Sequence, residues 1–231
     1  MKAILLIFSL LFLTVGFSQS EKFEGKVTFT FKYEGADMSA YDAYLQKSTT
    51  YYFKGKDVRF EMEGGMASLM GSILMDGDER IAYTINDLQK TAFIMDRDTA
   101  DNQTVEADPN LEITATTITE VILGYKCTKY QVKDKTEGTT MFVWLTTELE
   151  FINPETYGGA SAGLFFPGTQ GVMLQMQSTM PMGNGQNVTA TQTATEILKT
   201  TQDASLFEIP AGYEIKEFDP ASMLGGGMGG Y

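Results

Sequence analysis

The side chains that could do chemistry fall into two groups. Carboxylates gather at Asp76 and Asp78 and again at Asp96, Asp98, Asp101, Glu106 and Asp108. Thioethers gather at Met62, Met66, Met70 and Met75, and at Met173, Met176, Met180 and Met182. Paired carboxylates can move protons, and a loop of them can hold Ca²⁺ through hard oxygen ligands. The run Asp96, Asp98, Asp101 lacks the glycine and closing glutamate of a hand-type loop, which points to a solvated turn. Asp76 and Asp78 flank Gly77 at a hairpin entry, where Asp and Gly serve backbone geometry rather than acid and base work. Thioethers suit soft Cu(I), but on a regular strand Met173 and Met176 point to opposite faces. No metal and no cofactor is expected.

The 231-residue chain contains no His, which removes the usual base near neutral pH and the commonest zinc ligand. Triads built on histidine are excluded, and no other catalytic constellation stands out, so the expectation is a non-enzymatic protein. The lone Cys127 cannot form an internal disulfide, so burial and strand pairing must hold the fold. Net charge is −13, and loss of an N-terminal segment carrying Lys2 would take it to −14. That field repels phosphate backbones and anionic head groups, which excludes nucleic acid as a partner. The fourteen methionines admit two readings, a deformable lining for varied apolar ligands or ordinary gap-filling in a core.

These side chains must be positioned by strands. Residues 1–18 have a basic start at Lys2, an apolar run from Ala3 to Leu13 and small residues at Gly16 and Ser18, the pattern of a secretory signal peptide cleaved after Ser18. Export to a Gram-negative periplasm or beyond follows, without a lipid anchor, because no Cys lies near the cleavage site. Residues 19–219 read as a single β domain, and 220–231 as a Gly-rich tail. Val27, Phe29, Phe31 and Tyr33 alternate with polar residues as a strand with one buried face. Met38, Tyr41, Tyr44 and Leu45 suggest a short helix over the sheet, and Met66, Met70 and Ile73 suggest a second. Hairpins are expected around Gly55, at Asn86–Gln89 and at Asn184–Gly185.

The stretch from Ile118 to Leu145 reads as two apolar strands joined by a turn at residues 134–138, with Cys127 buried. Tyr130 and Val132 fall out of phase with Leu123, Tyr125 and Cys127, so a bulge is expected between Cys127 and Tyr130. Between Asn153 and Gly171, a Gly-rich connection carries Leu164, Phe165 and Phe166. It reads either as a flap over an apolar site or as a crossover held down by its phenylalanines.

Three segments together resemble a family of exported bacterial proteins of unknown function, itself similar to the lipoprotein-localisation carriers of the Gram-negative periplasm. They are MDGDERIAYTINDLQKTAFIM, then ILGYKCTKYQV with MFVWLTTEL, then GVMLQMQ through the next hairpin to LFEIPAGYEI. The resemblance implies a mainly β fold: a single curved antiparallel sheet forming an unclosed half-barrel, with one or two short helices or loops covering the concave face. In the carriers that hollow holds acyl chains. The Met-rich insert, the long Gly-rich loop and the Gly-rich tail depart from the carrier pattern. The expected function is an exported binding module for a lipid or acyl chain, its apolar wall supplied by Phe29, Phe31, Phe60, Met62, Met66, Met70, Tyr83, Phe93, Trp144, Leu164 and Phe165. The rival is a structural domain of the envelope with a self-filled core, meeting a protein partner through its loops. The sequence specifies no oligomeric state.

Overall fold

The computed structural model describes residues 23–79, 81–95, 110–149, 164, 169–182 and 185–218. Twelve strands follow one another along the chain: β1 (Gly25–Glu34), β2 (Ser48–Lys54), β3 (Asp57–Glu63), β4 (Ser72–Asp76), β5 (Ile81–Asn86), β6 (Thr91–Ile94), β7 (Leu111–Ile122), β8 (Tyr125–Asp134), β9 (Thr140–Thr146), β10 (Val172–Pro181), β11 (Asn187–Lys199) and β12 (Glu214–Glu217). They form one unclosed sheet in the order β12-β6-β5-β4-β3-β2-β1-β11-β10-β9-β8-β7. The fold is mainly β, as expected, and β7 and β12 are its two free edges. All pairings are antiparallel except β12 on β6. Among the described residues no helix is long and apolar enough to cross a membrane.

The alternation in β1 sets the logic of the sheet. Partners in register point the same way, so Val27 shares a face with Tyr51, Phe29 with Thr49, and these in turn with Phe60 and Met62 of β3. Continuing in both directions, the same face carries Ile73 and Met75 of β4, Phe93 of β6, Ala194 of β11, Met176 of β10, Val143 of β9, and Tyr130 and Val132 of β8. This is the apolar face. The opposite face of β1 to β3 carries Lys26, Lys32, Lys54, Asp57, Arg59, Glu61 and Glu63. Here the charges pair locally, Lys26 with Glu196 at 2.8 Å and Arg59 with Glu61 at 3.1 Å.

Several local expectations need correction. The segment after Asp37 forms a 3₁₀ turn, Ser39–Tyr44, that buries none of its residues, and Tyr41 and Tyr44 stand exposed instead of covering the sheet. The second proposed helix stops at Met70, a 3₁₀ turn from Met66, and Ile73 belongs to β4. Gly71 ends it: its φ of +80° is open to glycine, and any Cβ there would lie 2.0 Å from the Ile85 carbonyl oxygen. The stretch from Ile118 to Leu145 holds three strands, not two, because Leu123 (φ 51°) and Gly124 (φ 86°) make a tight reversal between β7 and β8. A leucine at the first of those positions concealed the turn.

The bulge expected between Cys127 and Tyr130 lies across the ladder instead. β8 pairs with β9 without a shift, while β7 carries two additional residues between Ala115 and Thr119. Thr116 stabilises the bulge by donating from Oγ1 to the Lys129 carbonyl at 2.8 Å and accepting from the Ile118 N–H at 3.2 Å. β12 was not expected at all, since its sequence EIKE has no buried alternation, and all four residues are exposed.

Candidate functional site

The apolar face is richest where β2 crosses between β1 and β3. Tyr51 is surrounded by rings, with centroids 5.8 Å from Phe29, 6.3 Å from Phe53 and 5.4 Å from Phe60. Such edge and offset contacts contribute beyond the area they bury. Phe29 and Val27 are fully enclosed, whereas Phe31, Phe60, Met62, Phe93 and Met176 are only half-buried. The face therefore has a packed floor and a partly uncovered apolar surface above it.

The expected wall residues separate into distinct groups. Phe29, Phe31, Phe60, Met62 and Phe93 share the apolar face in register. Tyr83 and Trp144 do not, because Tyr83 pairs with Leu74 and Trp144 with Gln175 on the other side. Tyr83 packs with Phe207, Ile209 and Tyr213 against a second, smaller cluster of Leu74, Ile85 and Ala92. Trp144 is buried and lies beneath Lys129, whose Nζ sits 4.7 Å from the Trp144 ring and 4.0 Å from that of Phe142. Met66 projects into solvent at 60% exposure. Met70 closes the same 3₁₀ turn, and its side chain lies outside the described residues. Leu164 is buried in the main core, its carbonyl accepting from the Met173 N–H at 2.8 Å. Phe165, the signal segment, the acidic run 96–109 and the glycine tail lie outside the described residues.

The thioethers need a second correction. A register shift between Met173 and Gln175 turns Met173 back to the side of Met176, because Met173 pairs with Leu145 and Met176 with Val143. Both methionines thus share the apolar face with Met141 and Met180. A single soft ion still cannot be held by Met173, Met176 and Met180 together. Met176 and Met180 are four residues apart on a strand, roughly 13 Å at the usual rise. Among the described residues no group of three or more Cys, Asp or Glu is placed to hold a metal ion.

Polar groups on the apolar face went unrecognised in the sequence. Gln192, opposite Phe31 and Met176, is buried, and so is Tyr51. Burial pushes the Tyr51 hydroxyl up to about 12 and the Cys127 thiol up to about 11. Both groups stay protonated near neutrality. Cys127 is fully enclosed, as expected of an inert thiol.

The profile of the family described as Domain of unknown function (DUF4412) matches residues 23–213. The chain belongs to that family. The matched span begins two residues before β1 and ends one residue before β12, so the DUF4412 domain holds the whole apolar face. Among curated proteins none matches the sequence. Two solved structures are similar in part. PNGF-II is 16% identical with a TM-score of 0.46, over 86% of this chain and 32% of its own. The LolA superfamily protein NE2245 from Nitrosomonas europaea is 7% identical with a TM-score of 0.34, over 81% of this chain and 91% of its own. The chain thus spans about a third of the length of PNGF-II.

Proposed function

We propose that this DUF4412 protein is an exported, non-enzymatic module that binds an apolar ligand, a lipid or acyl chain, on the apolar face of its open sheet. The observation that carries the reading is the half-buried group Phe31, Phe60, Met62, Phe93 and Met176 lying in register across a sheet that does not close. Each methylene of an acyl chain laid against such a surface contributes ~0.8 kcal/mol, so a chain of moderate length supplies enough driving force without any charged contact. Flexible Met62 and Met176 would adapt to chains of different shape. The non-enzymatic part is supported by the lack of His and by the protonation of Tyr51 and Cys127 far above neutral pH, which leaves neither suited to general acid–base work. Export is supported by the leader pattern of residues 1–18, and an N-terminus at Gln19 in protein recovered from the envelope or medium is the outcome that fits.

A second reading is favoured by the floor of the same face. Val27, Phe29, Val132 and Val143 are wholly enclosed, as in a core that fills itself. On that reading the domain is structural and meets an envelope protein through its loops. Native mass spectrometry with lipid extraction separates the two. The ligand reading expects the purified protein to carry an additional lipid mass. No co-purifying lipid, together with no binding of a fluorescent acyl probe, would favour the self-filled domain.

A further inference from the structure

Tyr51 is an anomaly on the apolar face. Its ring is enclosed by Phe29, Phe53 and Phe60, with 9% of the residue exposed. None of the hydrogen bonds among the described residues involves its hydroxyl, and burial is the sole cause that raises its pKa. Yet among the described residues the fully enclosed polar side-chain atoms without a partner are Ser72 Oγ and Trp144 Nε1, and the Tyr51 oxygen is not one of them. The small exposure that Tyr51 keeps therefore includes its oxygen. A phenol that burial keeps neutral is held by three rings, and its oxygen is not fully enclosed.

The charges nearby restrict what could accept that hydrogen. Every Lys, Arg, Asp and Glu of β1, β2 and β3 lies on the opposite face. On β11 Glu196 does too, and the one cation whose register falls on the apolar side is Lys199, at the strand's exposed last position. A carboxylate drawn down to Tyr51 would lose its hydration without gaining a cation, which is costly, whereas a carbonyl would exchange one water for one phenol.

We propose that Tyr51 is the polar anchor of the ligand site, donating its phenolic hydrogen to a neutral acceptor, an ester or amide carbonyl, of an amphiphile whose chain lies along Phe60 and Met62. The assignment rests on the apolar-ligand reading above and narrows it from any acyl chain to an uncharged acyl ester or amide. It also gives the site a direction: the carbonyl sits at mid-sheet beside Val27, and the chain runs toward the Met62 end of β3.

The test uses the mature protein and its Tyr51→Phe variant, which keeps the ring and removes only the hydroxyl. Each is titrated with three fluorescent probes of equal chain length: a methyl ester, an alkyl chain without a carbonyl, and the free carboxylate. Wild type is expected to hold the ester roughly three- to tenfold more tightly than the alkyl probe, the ratio that one neutral hydrogen bond supplies. Tyr51→Phe is expected to bind ester and alkyl alike, at the affinity wild type shows for alkyl. An unchanged ester-to-alkyl ratio in Tyr51→Phe overturns the anchor while leaving apolar binding in place. Tightest binding of the carboxylate overturns the neutral class. Failure of wild type to bind any probe overturns the apolar-ligand reading and the anchor with it. If the variant does not fold, the ring Cζ resonance of Tyr51 in wild type decides: a shift with the ester but not with the alkyl probe supports the assignment, and no shift overturns it.

Discussion

The two faces of the sheet around β1, β2 and β3 solve the same backbone problem with different chemistry. On one, Phe29, Tyr51, Phe53 and Phe60 pack ring against ring beside Val27, and Phe60 keeps uncovered surface. On the other, Lys26, Arg59, Glu61 and Glu196 pair at the surface, Thr28 and Thr50 share a hydrogen bond at 3.3 Å, and Tyr52 donates to Glu61 at 3.5 Å. Farther along, the second face becomes apolar in turn. There the C-terminal segment folds back over it, with Arg59 donating to the Leu206 carbonyl and Phe207, Ile209 and Tyr213 covering Leu74, Ile85 and Ala92. At Leu74, Ile85 and Ala92 the second face takes its cover from residues 204–213, whereas at Trp144 it is covered by Lys129. On the first face Phe60 and Met62 remain half-buried with no such segment among the described residues packed on them, and the proposed ligand surface rests on that difference.

Removing floor from the first face should have the largest effect. Phe29→Ala is expected to cost about 3–5 kcal/mol, the range for an enclosed aromatic, read as a fall in the denaturant midpoint with little change in slope. Next comes the second face. Ile85→Ala should cost about 2–5 kcal/mol and expose the C-terminal segment to protease earlier than the rest of the domain. A loss at Ile85 as large as that at Phe29, with no selective proteolysis, would mean that the two clusters unfold as one.

The pH dependence sharpens the contrast at intermediate size. Tyr51 titrates at 10.0 when unfolded and about 12 when folded, so the folded state binds its proton more tightly between those values. Its contribution is complete below pH 10 and is lost as pH rises to about 12, on the order of 3 kcal/mol in all. Cys127 acts in the same direction from 9.0 to about 11. Unfolding at fixed temperature between pH 9 and 12 should therefore show a decline in stability, shallower above pH 10 in Tyr51→Phe than in wild type. Equal slopes would show that the phenol is better hydrated than its burial implies.

The smallest effect belongs to the charged face. Glu196→Gln, which breaks the pair with half-exposed Lys26, should change stability by less than ~1 kcal/mol and by less still at high salt.

The alternation of Val27, Phe29 and Phe31, and of Val58, Phe60 and Met62, made the apolar face readable, because a period of two leaves one burial pattern for a paired strand. Tyr51 escaped notice for the same physical reason. It adjoins Tyr52, and alternation alone does not say which of two neighbouring tyrosines turns inward until Phe53 is paired with Val58. Trp144 lies between Val143 and Leu145, and alternation alone does not say which of these neighbours turns to the apolar face until Val143 is paired with Met176, whereas the additional residue in β10 moves Met173. Bulges leave little trace in a sequence, since they change the count of residues and not their kind. β12 was invisible because a charged edge strand buries nothing.

The central claim is that the half-buried residues of the first face form a binding surface. Equilibrium titration of the mature protein with an environment-sensitive acyl ester tests it most directly, with Phe60→Glu as the comparison. The account predicts saturable binding at one site per chain, and loss of that binding in Phe60→Glu while cooperative unfolding persists. No saturable binding to wild type, or equal binding by a folded Phe60→Glu, would contradict it.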